Sequence, residues 1–462
     1  MAMEKDIVVA FEFGSSQIRG MAGYKHNDGS VKVLAFEQVD ARNCVHKGIV
    51  YNIDKTVMCL RNITEKMEST LGEHITKAYV GLSGRSLNSK KNSVERRFAA
   101  KTVITNDILD ALMRENAAIS YPGYEILAVV PQEYNLGVDT TADPVGVMSD
   151  SIQGMYLNVI ARTDMKEYVQ RCFQTCGVEV AGYFITPLVT ASCVLTDAER
   201  RSGCAFVDFG YGVTSISVYK GGLLRHVAVV PLGGNNITQD LCGEMLEESE
   251  AEELKVKYSS AYADLSQESV SKKVLSNNGR AMCEKDLLDI VEARQQEILA
   301  NVHAQIRMSG YGEKLIAGLV VTGGASNIKD MDKAIIERVK PTKIRFVKSL
   351  PVKVQSEAGV LPVDATLNAI LSILCEGKDG CTMRIVQPEP EPEVELVNES
   401  ATDTPPVEPV EVAQETPAAE TPQEDVVRTA GEDAGDRQKS KASKWVKFKK
   451  VFERIANTIT EE

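Results

Sequence analysis

Two stretches about two hundred residues apart carry the same chemical device. Residues 7–23, IVVAFEFGSSQIRGMAG, set Glu12 just ahead of a turn made of Gly14, Ser15 and Ser16. Residues 206–225, FVDFGYGVTSISVYKGGLLR, set Asp208 just ahead of Gly210 and Gly212. Glycine in such a turn allows positive φ and lets backbone N–H groups approach an anion with no Cβ in the way. An acidic residue beside the turn can hold a hydrated Mg²⁺ next to that anion. One Gly-rich turn is an ordinary hairpin; two in matching contexts point to two similar lobes, each offering a phosphate cradle. A third stretch, residues 318–327 (GLVVTGGASN), runs an apolar strand into Gly323–Gly324 and a helix.

These turns need sheets behind them, and the hydrophobic pattern supplies two. Residues 1–84 read as α/β, with a third strand over 31–36, a helix over 54–71 and a short apolar strand over 78–82. Residues 85–159 differ in texture. They hold a basic cluster (Lys90, Lys91, Arg96, Arg97), a helix over 105–119 that starts at Thr105 or Asn106, and short strands over 126–130 and 134–136. This segment reads as an α+β subdomain inserted into the first lobe, which resumes over 160–198. The second lobe takes 199–236 and 317–385, with a helical subdomain over 237–316 between them. The helices expected there span 235–246, 248–257 and 286–308, and later ones span 331–339 and 364–374.

Composition narrows the class. With 43% hydrophobic and 25% charged residues, the chain suits a soluble globular body, and it has no apolar run of about 18 residues that would span a bilayer. The N-terminus runs straight into strand pattern, which argues against a signal peptide. Ten cysteines are scattered with no CxxC pair, so reduced thiols are expected rather than a disulfide frame or zinc site. The net charge of −13 sits unevenly: residues 387–436 hold fifteen acids against one Arg, and 437–462 hold eight basic residues against three Glu. No basic stripe with interleaved aromatics marks the body, so nucleic acid is not an expected partner.

Residues 387–436 carry eight of the sixteen prolines and almost no aromatics, the composition of a disordered linker. The tail over 444–460 is different. Trp445, Phe448, Phe452, Ile455 and Ile459 recur at spacings of 3, 4, 3 and 4, with Val451 beside them, and so line one helix face. Lys444, Lys447, Lys449 and Lys450 surround that stripe. A basic helix with aromatic anchors on a disordered tether reads as an in-plane anchor on anionic lipid; docking on a protein surface is the plainer alternative.

The three turns, in this order and spacing, resemble the phosphate 1, phosphate 2 and adenosine elements of the actin-like ATPase superfamily. A closer resemblance rests on Glu12 where most of that superfamily has Asp, VPQEY at 130–134, DPVGV at 143–147, GGLLRHVAVVPLGGNNIT at 221–238 and the basic amphipathic end. Together these resemble FtsA, a family of actin-like bacterial cell-division proteins. The resemblance covers residues 6 to about 375 and the tail; the acidic linker is much longer than usual. It implies a two-lobed actin-like fold with ribonuclease H-like sheets and one subdomain relocated to the inserted segment. It also implies binding of ATP and Mg²⁺ and a place on the cytoplasmic face of the cell membrane at the division site. There the family tethers FtsZ, polymerises and recruits later division proteins.

Carried over by position, the resemblance puts Glu12, Gly14, Ser15 and Ser16 in the first phosphate loop, with Arg19 as the cation that Gln17 no longer supplies. Asp208, Gly210, Gly212 and Thr214 form the second, and Glu12 and Asp208 reach Mg²⁺ through water. Gly234 and Asn235 lie near the nucleotide, Glu252 and Lys255 contact ribose and adenine, and Gly323, Gly324 and Ala325 pack on adenosine. Arg294 and Glu297 match the region that binds the FtsZ C-terminal peptide. Departures bear on catalysis. The usual GGGT of the second loop is here Gly210-Tyr211-Gly212-Val213, and the often acidic position after it is Ser215. No residue stands out to orient an attacking water, so ATP binding with slow or absent turnover is expected. A pilus-assembly adaptor and a small-molecule kinase of the same superfamily are the competing readings.

Overall fold

The computed structural model describes residues 6–137, 139–262, 273–275 and 279–384. The linker over 387–436 and the anchor helix over 444–460 lie outside the described residues.

The first sheet grows from the hairpin that carries Glu12. Strands Val8–Phe13 and Gln17–Lys25 pair antiparallel with Glu12 opposite Arg19. The sheet order is Glu179–Ile185, Lys77–Leu82, Val8–Phe13, Gln17–Lys25, Val31–Asp40 and Val354–Ser356. Helix Ile53–Leu71 covers one face with Val57, Leu60, Ile63 and Met67 buried at helical spacing. Its start is capped by Asn52, whose side chain accepts from the Lys55 N–H, and it ends at Gly72 in the left-handed region. The helix lies so close that a Cβ on Gly20 would stand 2.4 Å from Ile63.

The second sheet has nine strands in the order Thr140–Thr141, Tyr124–Asn135, Met148–Arg162, Asn88–Val103, Leu223–Val230, Thr214–Lys220, Cys204–Phe209, Gly318–Thr322 and Ile344–Phe346. Its core lies under helices Glu284–Met308 and Met331–Val339, against Ile298, Leu299, Val302 and Ile335. Helices Gly234–Cys242 and Glu248–Tyr258 pack with the start of Glu284–Met308 around Leu241, Leu254, Leu287 and Val291. That is the helical subdomain.

Three expectations need correction, and one strand was not expected at all. The strands expected over 126–130 and 134–136 are one strand, Tyr124–Asn135, running through Pro131 at a register irregularity. Beyond Tyr134 and Asn135 this strand is a sheet edge, where a residue without N–H is tolerated. The basic cluster sits on a sixteen-residue strand, Asn88–Val103, that no alternation announced. The last helix begins at Asn368 rather than 364, because the Asp364 carboxylate accepts from Thr366 N and Oγ1 and Ala365 takes φ +68°. Finally, residues beyond 350 do not stay with the second lobe. Val354–Ser356 pairs with Val31–Val33, and helix Asn368–Glu376 packs on the first sheet and on helix Thr186–Val194. Asn368 to Cys375 are all buried, so this helix needs cover on every side.

The inserted subdomain extends the second sheet, although it interrupts the first lobe in sequence. The join is one strand pair, Asn88 opposite Ala228. Ser89 Oγ reinforces it, accepting from Val227 N–H at 2.8 Å and donating to Val227 O at 3.1 Å. The PQEY and LLRH segments meet here. Gln132 Nε2 donates to Leu224 O at 3.0 Å, while Arg225 reaches Gln132 Oε1 at 3.2 Å and Glu133 Oε1 at 2.8 Å. Arg225 is buried, so Arg225→Ala removes the charged hydrogen bonds of a buried guanidinium to half-buried partners. A loss of about 2 kcal/mol is expected in chemical denaturation; a loss below about 0.5 kcal/mol would mean that the joint is held by the strand pair alone.

Candidate nucleotide cleft

The two phosphate turns are the same turn made twice. Gly14 N–H donates to Gln17 O at 3.0 Å, and Gly210 N–H donates to Val213 O at 2.9 Å. A Cβ on either glycine would stand 2.8 Å from that carbonyl oxygen. The turns face each other across a cleft of about 640 Å³. Ser15 closes the gap, since a Cβ on Gly212 would lie 2.6 Å from its Oγ. That oxygen also accepts from Gly48 N–H at 2.9 Å, so the first turn is braced before any ligand reaches it.

The acidic residues ahead of the turns behave differently. Glu12 Oε2 lies 3.2 Å from Arg19 Nη1, as the strand register requires, and the same nitrogen donates to Thr366 O at 3.1 Å. Asp208 has no such partner among the described hydrogen bonds. Burial pushes its carboxyl up to about 7, the charge of Glu12 adds to the rise, and Arg19 offsets part of it. Two carboxylates that repel each other beside two N–H-lined turns suit a hydrated divalent cation, and Mg²⁺ held through water fits this donor set. Gly323 closes the floor behind Asp208. Its φ is +91°, and a Cβ there would stand 2.2 Å from Asp208 Oδ1.

The wall opposite is polar. Lys255 Nζ donates to Glu252 Oε2 at 2.6 Å, Thr238 Oγ1 at 2.9 Å and Gly234 O at 3.2 Å. Gly234, Glu252, Lys255, Gly323, Gly324 and Ala325 all line the cleft, as do Gly14, Ser15, Ser16, Gly210 and Gly212. A negative turn-lined end and a polar wall some distance away make a site for a phosphorylated ligand with a second, hydrogen-bonding moiety.

Residues 205–367 match the family model described as Cell division protein FtsA, and residues 84–160 match the one described as SHS2 domain inserted in FTSA. A cell division protein FtsA of Porphyromonas gingivalis is 30% identical over 75% of this chain and 74% of its own. The chain belongs to the FtsA family. FtsA proteins of Pseudomonas aeruginosa and Escherichia coli are each 27% identical, over 82% and 75% of this chain and 92% and 84% of theirs. Among solved structures, a chain of a PilM–PilN type IV pilus biogenesis complex superposes with a TM-score of 0.57 at 13% identity. It covers 80% of this chain and 98% of its own, which establishes the shared actin-like fold with the inserted subdomain.

Within that FtsA frame some expected positions fall elsewhere. Thr214 is fully buried and donates to Leu232 O at 2.9 Å, so it is not in the cleft; its neighbour Ser215 is. Asn235 does not line the cleft either; its N–H donates to Tyr211 O at 2.7 Å. Arg294 grips Asp240 with both arms, Nε to Oδ2 at 2.5 Å and Nη2 to Oδ1 at 2.9 Å, and also pairs with Glu297. That engagement ties helix Glu284–Met308 to Gly234–Cys242. Residues that the sequence did not single out also line the cleft: Gly48, Thr186, Thr366 and Asn327. Thr366 follows a stretch with no periodic signal, and only the fold brings it to Arg19.

Proposed function

We propose that this FtsA-family protein binds ATP with Mg²⁺ and links FtsZ to the cytoplasmic face of the cell membrane at the division site. The observation that carries the nucleotide part is the pair of facing turns, each headed by a carboxylate, Glu12 and Asp208. Glu12 and Asp208 hold the hydrated metal, the N–H groups of Ser15 and Ser16 and of Tyr211 and Gly212, in the turns closed by Gly14 and Gly210, take the phosphates, and Arg19 adds a cation. Glu252 and Lys255 take the ribose and adenine, with Gly323, Gly324 and Ala325 against the adenosine.

The tether is the tail. Trp445, Phe448, Val451, Phe452, Ile455 and Ile459 enter the interface, while Lys444, Lys447, Lys449 and Lys450 draw it to anionic lipid at about 1 kcal/mol per basic residue. The FtsZ C-terminal peptide docks on the helical subdomain near Arg294 and Glu297, with Arg294 organising the surface through Asp240. The protein forms a homopolymer, and later division proteins meet the inserted subdomain. Slow or absent hydrolysis follows from the second turn, where Val213 and Ser215 stand in place of a hydroxyl and an acid.

Flotation with anionic vesicles tests this directly. FtsZ is expected to float with the full chain and Mg²⁺–ATP, and to stay at the bottom with a chain ending at Ser443. If the full chain floats and FtsZ does not, the partner is wrong; if neither floats, the tail is no anchor. Turnover is expected well under about 1 s⁻¹, the low end for ordinary enzymes, and a faster rate would refute the weak-hydrolysis reading.

A further inference from the structure

Tyr211 is the one bulky residue in a turn otherwise flanked by glycines, and its hydroxyl leaves the turn. It donates to Glu248 Oε1 at 3.1 Å, at the first turn of helix Glu248–Tyr258. The same oxygen accepts from Arg42 Nη1 at 3.3 Å. Arg42 is itself fixed by Asp40, Nε to Oδ2 at 2.8 Å, just past the end of strand Val31–Asp40. One carboxylate oxygen therefore joins the first lobe, the second phosphate turn and the helical subdomain. Burial and the Glu248 charge push the Tyr211 phenol up, so it remains a donor throughout the physiological range.

We propose that Arg42, Glu248 and Tyr211 form a gate at the phosphate end of the cleft that sets how fast nucleotide enters and leaves. The proposal rests on the reading of the cleft as an ATP site. Tyr211 lines that cleft, whereas Arg42 and Glu248 do not. Every contact in the gate is protein to protein, so the free energy of opening it adds equally to the barrier for uptake and the barrier for release. Weakening the gate raises both rates by one factor and leaves their ratio, Kd, unchanged. A residue that held the nucleotide itself would instead raise the release rate and Kd together. Arg42 and Glu248 are 49% and 41% exposed, so their pair is screened by salt.

Stopped-flow exchange of a fluorescent mant-ATP with Mg²⁺ on the full chain reads this out. Arg42→Ala and Glu248→Gln, both outside the cleft lining, are each expected to raise uptake and release about three- to tenfold, in line with one exposed ion pair or one charged hydrogen bond. Kd should stay within about twofold. Salt of about 0.5 M should speed exchange in the native protein and leave Arg42→Ala nearly unmoved. Binding with native rates in both variants overturns the gate and leaves the ATP reading standing. Faster release with a matching rise in Kd makes these residues ligand contacts and overturns it too. If mant-ATP fails to bind the native protein, the ATP reading falls and the gate with it.

Discussion

Gly323→Ala is expected to destabilise the protein by about 2–6 kcal/mol and to abolish nucleotide binding by whatever remains folded. Two separate costs add. The residue sits at φ +91° and ψ 151°, an extended positive-φ conformation essentially confined to glycine, where an L side chain costs roughly 1–3 kcal/mol. The new Cβ would also stand 2.2 Å from Asp208 Oδ1, 2.4 Å from Phe209 O and 2.7 Å from Phe209 C. Two of these are backbone atoms of a central strand, which cannot turn aside, so overpacking adds about 1–3 kcal/mol. Whatever relief occurs must come from Asp208, the one of these neighbours free to swing, and that swing displaces its carboxylate in the cleft. Gly318→Ala is the control. It has φ +72°, and its Cβ would stand 2.1 Å from Lys343 O, at the far end of the same strand. A similar loss of stability with native affinity for ATP is expected there. Equal affinity in the two variants, measured by mant-ATP titration below the unfolding transition, would mean that Asp208 does not face the ligand.

How much of this was legible in the chain follows from the range of each signal. The turns were legible because their chemistry is local: an acid, a glycine and a small residue determine the turn within five positions. Glu252 and Lys255 came only through the family resemblance; the structure pairs them three apart on one helix. Thr214 was misplaced for an equally local reason. In a strand, successive side chains point to opposite faces, so a shift of one residue exchanges cleft for core. Ser215 faces the cleft, and Thr214 is turned toward Leu232 O.

Long-range features left no such trace. The inserted subdomain joins the second sheet through a single strand pair and a cluster of side-chain bonds, Gln132 and Glu133 to the 224–225 segment. The PQEY and LLRH segments are conspicuous as strings, but only their meeting explains both: a buried guanidinium needs acceptors, and the other segment carries them. The return of residues 354–376 to the first sheet is of the same kind. Helix Asn368–Glu376 is mostly apolar round its circumference, which says that it is buried and not against what.

Asp208→Asn should move stability and function in opposite directions. The native carboxyl is held up to about 7 by burial and by Glu12, against 3.8 in an unconstrained chain. Between those values the folded protein keeps a proton that the unfolded chain has released, so the penalty is absent below pH 4, grows through the window and is complete above pH 7. A shift of about three units sets a ceiling of roughly 4 kcal/mol, which water and relaxation in the open cleft reduce. In EDTA at pH 8, Asp208→Asn is therefore expected to raise stability by about 2 kcal/mol, and the gain should vanish as the pH falls toward 4. The amide is nearly isosteric, so the close fit against Gly323 survives. Binding responds the other way. With one of the two carboxylates neutral, Mg²⁺ should no longer strengthen ATP binding, a loss of at least about tenfold, or roughly 1.4 kcal/mol. In EDTA the variant should bind ATP as well as the native protein or better, because one negative charge fewer faces the phosphates. Denaturation against pH and mant-ATP titration with and without Mg²⁺ separate the two effects. A variant that gains no stability at pH 8 would show that Asp208 is not a repelled buried charge. One that keeps the full Mg²⁺ effect would leave the cation to Glu12 alone.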